Sequence, residues 1–199
     1  GRDYKKDITE MLMEVLRKHK DSTNRHVVVT GANVVANPNF ELIRQNGFTD
    51  YIFESCIETC AKYPQHDRVY DLWQQGIRER LLVPSFHGRE HLNTQRWMRA
   101  LQKRCKSTHL AFDNGVTGIS NGIDGVKLGD YQAAFDIDTI ADVEYQKEIL
   151  KSGLNLFEEL YGFRSKFFIP PNGPFNNQLE AIAKQNGIDY LGTGKIHQE

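Results

Sequence analysis

Two histidines four residues apart are the sharpest chemical signal in the sequence. His87 and His91 lie in the run Phe-His-Gly-Arg-Glu-His, directly after an apolar stretch at 81–86. On a helical turn, side chains at this spacing face the same side, so both imidazoles could bind one metal ion. The chain has seven histidines, and chance produces such a spacing in roughly one sequence in five of that composition. Spacing alone therefore leaves two readings open: a metal site, or two hydrogen-bonding histidines.

The two charged residues between the histidines also have two interpretations. Arg89 and Glu90 could orient the imidazoles through hydrogen bonds, as groups behind metal ligands commonly do. They could equally be an ion pair on the solvated surface. Asn93, just beyond the second histidine, is predicted to cap the next helix.

The same run fits the spelling His-x-x-Glu-His of the inverted zinc proteases. In that class Glu90 would be the general base, and Glu158 or Glu159 could supply the third ligand. The protease motif needs a long helix, whereas here Gly88, which costs about 1 kcal/mol in a helix interior, lies inside the motif. The protease is kept as the third candidate function.

The elements that must position these residues alternate between strand and helix. Strand-like runs are predicted at 26–31, 51–55, 81–86, 131–135, 166–169 and from 190, and the main helices at 8–20, 67–80, 94–104, 137–161 and 176–185. A helix is also predicted to begin at Asn37, and 107–129 to form a long irregular loop. Alternation with short connections predicts parallel strands and crossover helices, in a barrel or an open sheet.

The overall composition excludes some partners. The net charge of -1 gives no pull toward nucleic acid, and no apolar run is long enough to span a bilayer. The three cysteines do not make a disulfide framework. Because a helix comes first and a strand last, 1–199 is expected to be one barrel-type domain, truncated at both ends.

A second motif, together with the histidine run, carries a resemblance to a known family. The strand at 166–169 runs into Pro170-Pro171-Asn172-Gly173, and a helix follows. This order resembles the polysaccharide deacetylase family (NodB homology, carbohydrate esterase type), in a divergent bacterial branch. His87 and His91 match the family's His-x-x-x-His at the end of a barrel strand, and the proline run matches its groove-lining loop.

The resemblance implies a fold, an activity and a set of site residues. The expected fold is a partial (β/α) barrel of the distorted NodB type. The expected activity is metal-dependent deacylation of a glycan or polysaccharide, in the bacterial cytoplasm or cell envelope. His87 and His91 would bind a divalent metal ion, zinc before nickel, cobalt or manganese. The groove would be lined by Pro171, Asn172, Gly173 and Phe175.

Three departures from the family pattern generate an alternative. The family's Asp-Asp pair, which supplies the general base and the third ligand, has no match in 1–20, so it is expected upstream of residue 1. Asp7 there is interpreted as a helix cap. Ile169 stands where the family has an arginine, and Asn172 where it has an aromatic residue. The alternative is therefore a catalytically inactive, glycan-binding relative.

Overall fold

A small parallel sheet forms the centre of a mixed α/β fold. The computed structural model describes residues 7–120, 123–125 and 129–193. Its strands are β1 (Val29–Val34), β2 (Ala36–Pro38), β3 (Phe53–Ser55), β4 (Leu82–Gly88), β5 (Phe167–Phe168) and β6 (Tyr190–Leu191). Its helices are α1 (Ile8–Lys18), α2 (Phe40–Gln45), α3 (Cys56–Ala61), α4 (Val69–Arg78), α5 (Thr94–Gln102), α6 (Lys106–Asp113), α7 (Gly129–Gln132), α8 (Ile140–Tyr161) and α9 (Glu180–Gln185), with a 3-10 turn at Asn177–Leu179.

The parallel sheet with crossover helices agrees with the sequence-based prediction. Four strands lie in the order β1-β4-β5-β6, and every neighbouring pair is parallel. Strands β2 and β3 form a separate antiparallel pair. Because the four strands are parallel, their carboxyl ends meet at one edge, where β4 ends in His87 and Gly88. Closure of the sheet into a barrel stays a prediction.

Several local predictions differ from the structure. Asn37 lies in β2 and not at a helix start; Asn39 caps α2 instead, its side-chain oxygen accepting from the Leu42 N–H at 3.0 Å. The predicted loop at 107–129 begins with α6, and its residues 121–122 and 126–128 lie outside the described ones. The predicted strand at 131–135 is instead α7 and the bend after it. Asp7 caps α1 as expected.

The long helix α8 covers the central strand β4. Phe157 on α8 packs edge-on against Phe86 of β4, with ring centroids 6.0 Å apart. Gly153 makes this approach close, because a Cβ atom there would lie 2.9 Å from both Phe86 and Arg89. The helix therefore contacts Phe86, directly before His87, and Arg89, two residues after it. No helix in the described part of the chain is long and apolar enough to cross a membrane.

An ion-pair network fixes the start of α8 to α5. Arg96 pairs with Asp136 and Asp138, and Arg99 pairs with Asp138 and Asp142. The buried Asp142 carboxylate also accepts from the backbone N–H groups of Asp138 and Thr139 at 3.0 and 3.1 Å. Burial alone would raise the pKa of Asp142, but these hydrogen bonds and Arg99 outweigh it and hold that pKa at about 2.

We expect the Asp142 network to make stability depend on pH in acid. A carboxyl group whose pKa is lower in the folded state stabilises the fold above its unfolded value of 3.8, and that contribution is lost as the pH falls toward about 2. Asp142→Asn should therefore lower the free energy of unfolding at pH 7 by about 1–3 kcal/mol. The difference from the wild-type protein should shrink between about pH 4 and pH 2. Urea unfolding across that pH range measures both effects.

The matched control for this experiment is Glu144→Gln, an exposed carboxylate on the same helix. It should leave the free energy of unfolding within about 0.5 kcal/mol of the wild-type value. An Asp142→Asn variant whose stability runs parallel to the wild-type curve from pH 7 to pH 2 would contradict the assignment.

Candidate functional site

His87 and His91 lie side by side at the carboxyl end of β4. Their ring centroids are 5.1 Å apart and the rings are tilted by 56°. The predicted helical turn is wrong, since His87 belongs to β4 and the chain bends between it and His91. The end of the strand and the bend bring the two rings together in place of a helix.

A backbone carbonyl orients His87. Its Nδ1 lies 2.7 Å from the Ile169 oxygen, directly after β5. A carbonyl oxygen only accepts, so Nδ1 donates and the lone pair of the neutral ring is on Nε2. Burial lowers the pKa of His87, and nearby His91 adds to that effect, whereas the bond to Ile169 opposes it. The neutral ring with its lone pair on Nε2 is the form that binds metal ions.

The proline loop lies directly against the histidine segment. Gly88 has a φ of 127°, and a Cβ atom there would lie 3.1 Å from the Glu90 oxygen and 3.3 Å from Pro171 Cγ. A residue with a side chain would be strained by both the φ angle and the contacts. Glycine at this position therefore allows the two predicted motifs to meet.

The four predicted groove residues have different environments. Pro171 is buried, Asn172 is exposed and Gly173 is half-buried, in a turn closed by the Gly173 N–H bonding the Pro170 oxygen at 3.0 Å. Phe175 is only 4% exposed and packs against Phe135 and Phe168 in the core. Its ring therefore belongs to the hydrophobic core, and its predicted place in a groove stays a prediction.

Arg89 and Glu90 form a buried ion pair and not a solvated one. Arg89 is 7% and Glu90 2% exposed, and Arg89 Nε donates to Glu90 Oε1 at 2.6 Å. Arg89 also donates to Ser152 of α8 at 3.0 Å, and its guanidinium lies 4.4 Å from the centroid of the Phe53 ring. Burial raises the pKa of Glu90, while Arg89 opposes that rise.

Hydrogen bonds also hold the backbone of the segment between the histidines. The Arg89 oxygen accepts from the Val35 and Ala36 N–H groups at 3.1 and 2.8 Å. The segment between the histidines thus contacts α8, the β2–β3 pair and the chain after β1. Only Arg89 and Glu90 had been singled out from the sequence. Among the residues that contact this segment, only Gly153 is conspicuous in the sequence, because it is an isolated glycine within a strongly helical run.

The hypothesis of an inverted zinc protease does not fit the geometry of the histidine segment. The motif lies on a strand end and a bend, and Glu90 is buried in an ion pair with Arg89. Glu158, a candidate third ligand, pairs with Arg164. Within residues 7–120, 123–125 and 129–193, no cluster of three or more His, Cys, Asp and Glu side chains could hold a metal ion.

The separation of the two imidazoles is compatible with a shared cation. A tetrahedral ion bound by two ring nitrogens at about 2 Å would hold the ring centroids about 5 Å apart, which matches the observed 5.1 Å. His91 is exposed, so the pair is open to solvent and ligands. A catalytic zinc site normally has three protein ligands, and a third does not come from the described residues.

Comparison with known proteins assigns no family. No protein-family model matches the chain, and no curated protein matches it. A solved structure of a de-N-acetylase from Aggregatibacter actinomycetemcomitans is 13% identical, with a TM-score of 0.36 over 64% of this chain and 48% of that one. The chain therefore spans about half the length of that enzyme. A likeness this weak establishes neither fold nor activity for the chain.

Gly153→Ala should push α8 against the histidine segment. Overpacking by one methyl group costs about 1–3 kcal/mol, and the gain in helix propensity of about 1 kcal/mol only partly offsets it. We expect a net loss of stability on urea unfolding. Gly129→Ala is the matched control, since nothing lies within 4 Å of a Cβ atom there. Equal effects of the two substitutions would show that α8 does not press on this segment.

Removing one member of the buried ion pair should be severe. Arg89→Ala leaves Glu90 buried without its partner, and we expect a loss of about 3–5 kcal/mol in the free energy of unfolding. Lys103→Ala, at an exposed position, should change it by less than about 0.5 kcal/mol. The double variant Arg89→Met/Glu90→Leu should lose less than Arg89→Ala alone, because it leaves no unpaired charge. A double variant less stable than Arg89→Ala would refute this account.

Proposed function

We propose that the protein is a metal-dependent deacylase that acts on a glycan or polysaccharide. The observation that carries the proposal is the pair of imidazoles 5.1 Å apart at the carboxyl end of a parallel strand. His87 has the carbonyl partner typical of metal-binding histidines. The proline loop that resembles the groove loop of the polysaccharide deacetylases lies beside the pair.

The proposed fold is the distorted, partial (β/α) barrel of that family. The four parallel strands and the crossover helices are compatible with it. In barrels, the carboxyl ends of the strands carry the active site. His87 on β4, Ile169 after β5 and the proline loop all lie at that edge.

Each residue of the site has a proposed task. His87 and His91 would hold the divalent ion, most simply zinc, with nickel, cobalt or manganese as alternatives. Such an ion polarises the acyl carbonyl and lowers the pKa of bound water. Pro171, Asn172 and Gly173 would border the substrate, and the exposed Asn172 amide suits hydrogen bonds to sugar hydroxyls. Arg89 and Glu90 are positioning residues.

The general base and the third ligand would come from outside the described residues. In the family that this chain resembles, an Asp-Asp pair supplies both, and we place that pair upstream of residue 1. A carboxylate would take the proton from water. The oxyanion that then forms needs an electrostatic partner, which the ion would supply.

An inactive glycan-binding relative is the second candidate. Ile169 stands where the family has an arginine, and the described residues bring no third ligand to the histidines. Either departure could have removed catalysis while leaving the groove intact. The second candidate predicts glycan binding without stoichiometric metal.

Metal analysis of the full-length protein separates the two candidates. About one zinc, nickel or cobalt ion per chain supports the deacylase, and acetate release from an N-acetylated oligosaccharide tests the chemistry. His87→Ala and His91→Ala should each lower zinc affinity by roughly 100-fold or more, since each removes a ligand outright. His19→Ala, an exposed histidine after α1, is the control and should retain full metal content. Metal retained by both site variants would overturn the proposal.

A further inference from the structure

A cleft with a mixed polar and apolar lining, next to the β2–β3 pair, has no role in the proposed chemistry. Its volume is about 720 Å³, and neither His87 nor His91 lines it. Ligand pockets commonly have volumes of about 300–1,000 Å³. One wall comes from β2, β3 and α3, and the other from residues 115–118, after α6. The cleft is therefore large enough to hold part of a chain-like ligand.

The first wall is a connected set of polar side chains. Asn37 donates to the Thr59 hydroxyl at 3.1 Å, and that hydroxyl donates to Glu54 at 2.9 Å. Lys62 pairs with the other oxygen of Glu54, which is 7% exposed. Because Lys62 is paired with Glu54, and Glu41 also lines the cleft, the lining presents hydrogen-bonding groups without an excess of positive charge.

The second wall is also held in place. The Trp97 indole, fully buried, donates to the Thr117 oxygen at 2.8 Å. The Val116 N–H bonds the Ala111 oxygen in α6 at 3.0 Å. Between the walls, Phe40 packs edge-on against Trp97 with ring centroids 5.9 Å apart. Both sides of the cleft are thus tied to the core, which lowers the entropic cost of binding.

The lining chemistry favours a neutral, polyhydroxylated ligand. Tyr63 is 58% exposed and lines the cleft, where its flat ring can stack on the C–H face of a sugar ring. The amides of Asn37 and Gln132 can both donate and accept, as sugar hydroxyls require, and the Thr59 hydroxyl, which donates to Glu54, keeps a lone pair that can accept. Phosphate-rich ligands need unpaired cations, and Lys62 already pairs with Glu54.

The cleft and the histidine pair share a structural element. Ala36 of β2 bonds the Arg89 oxygen, and the next residue, Asn37, lines the cleft. On β3, Phe53 packs on the Arg89 guanidinium, and Glu54 beside it lines the cleft. We propose that this cleft is a second binding site, which takes neutral sugar residues of a glycan away from the histidine pair.

The choice of a glycan as the ligand rests on the proposed function, while the existence of the site rests on the walls of the cleft. The test is calorimetric titration of the full-length protein with two probes, the tetrasaccharides of N-acetylglucosamine and of glucose. Four variants are compared with the wild-type protein: Tyr63→Ala, Gln132→Ala, the double variant His87→Ala/His91→Ala, and the control Tyr190→Ala. Tyr190 is 67% exposed on β6, away from the cleft.

We expect at least one tetrasaccharide to bind, and Tyr63→Ala to weaken it by about fivefold, which is the typical value of an aromatic contact. Gln132→Ala should weaken it by a smaller factor. Tyr190→Ala should bind as the wild-type protein does, and the double histidine variant should keep the part of the binding that depends on Tyr63. No binding by either probe, unchanged binding by Tyr63→Ala, or equal loss in the double histidine variant would each overturn the second site.

The two proposals fail separately. Metal content, measured on the same samples, tests the histidine pair alone. Tetrasaccharide binding that depends on Tyr63, in a protein without metal, keeps the second site and removes the deacylase. Stoichiometric metal bound through the histidines, with no effect of Tyr63→Ala on tetrasaccharide binding, keeps the deacylase and removes the second site.

Discussion

The buried pair of Arg89 and Glu90 is the constraint on which the site depends. Taking two charges out of water costs several kcal/mol for each ion unless they are paired and hydrogen-bonded. This cost favours the conformation in which Arg89 reaches Glu90, Ser152 and the Phe53 ring together. Because His87 and His91 flank this pair, the conformation that satisfies the charges also fixes the distance between the imidazoles.

The parallel sheet supplies the second level of organisation. Its strands bring the end of β4 and the residues after β5 to one edge, although some 80 residues separate them along the chain. The helix α8 lies over that edge, where Gly153 lets it contact both the core strand and Arg89. Packing and site geometry are thus coupled, since a shift of α8 would displace Arg89 and with it the segment between the histidines.

Much of the frame could be predicted from the sequence. The apolar run before His87 indicated a strand, Asn93 indicated a cap, and both are present, with the Asn93 side chain accepting from the Arg96 N–H. The resemblance placed the proline loop near the histidines, and Gly88 lies against Pro171. These features depend on local patterns and on strand direction, which a sequence displays directly.

The rest depends on long-range packing that no local pattern displays. Adjacent charged residues are usually exposed, so the burial of Arg89 and Glu90 is visible only when Ser152 and Phe53 are in place. The spacing of the histidines suggested a helical turn, but Gly88 allows a strand end and a bend instead. Phe175 followed the proline loop in sequence, yet two aromatic rings, those of Phe135 and Phe168, meet it in the core.

The partner of His87 is a main-chain oxygen, and this has a consequence for how the protein can vary. A side chain that orients a catalytic histidine is lost with one substitution, whereas every amino acid at position 169 retains its carbonyl. The orientation of the His87 ring is therefore insensitive to the identity of residue 169, provided that the strand before it keeps its path. A different side chain in place of Ile169 would alter the local charge and shape while leaving the imidazole in the same tautomer. Substitutions at position 169 can thus change the charge and shape around the site while His87 keeps its hydrogen bond.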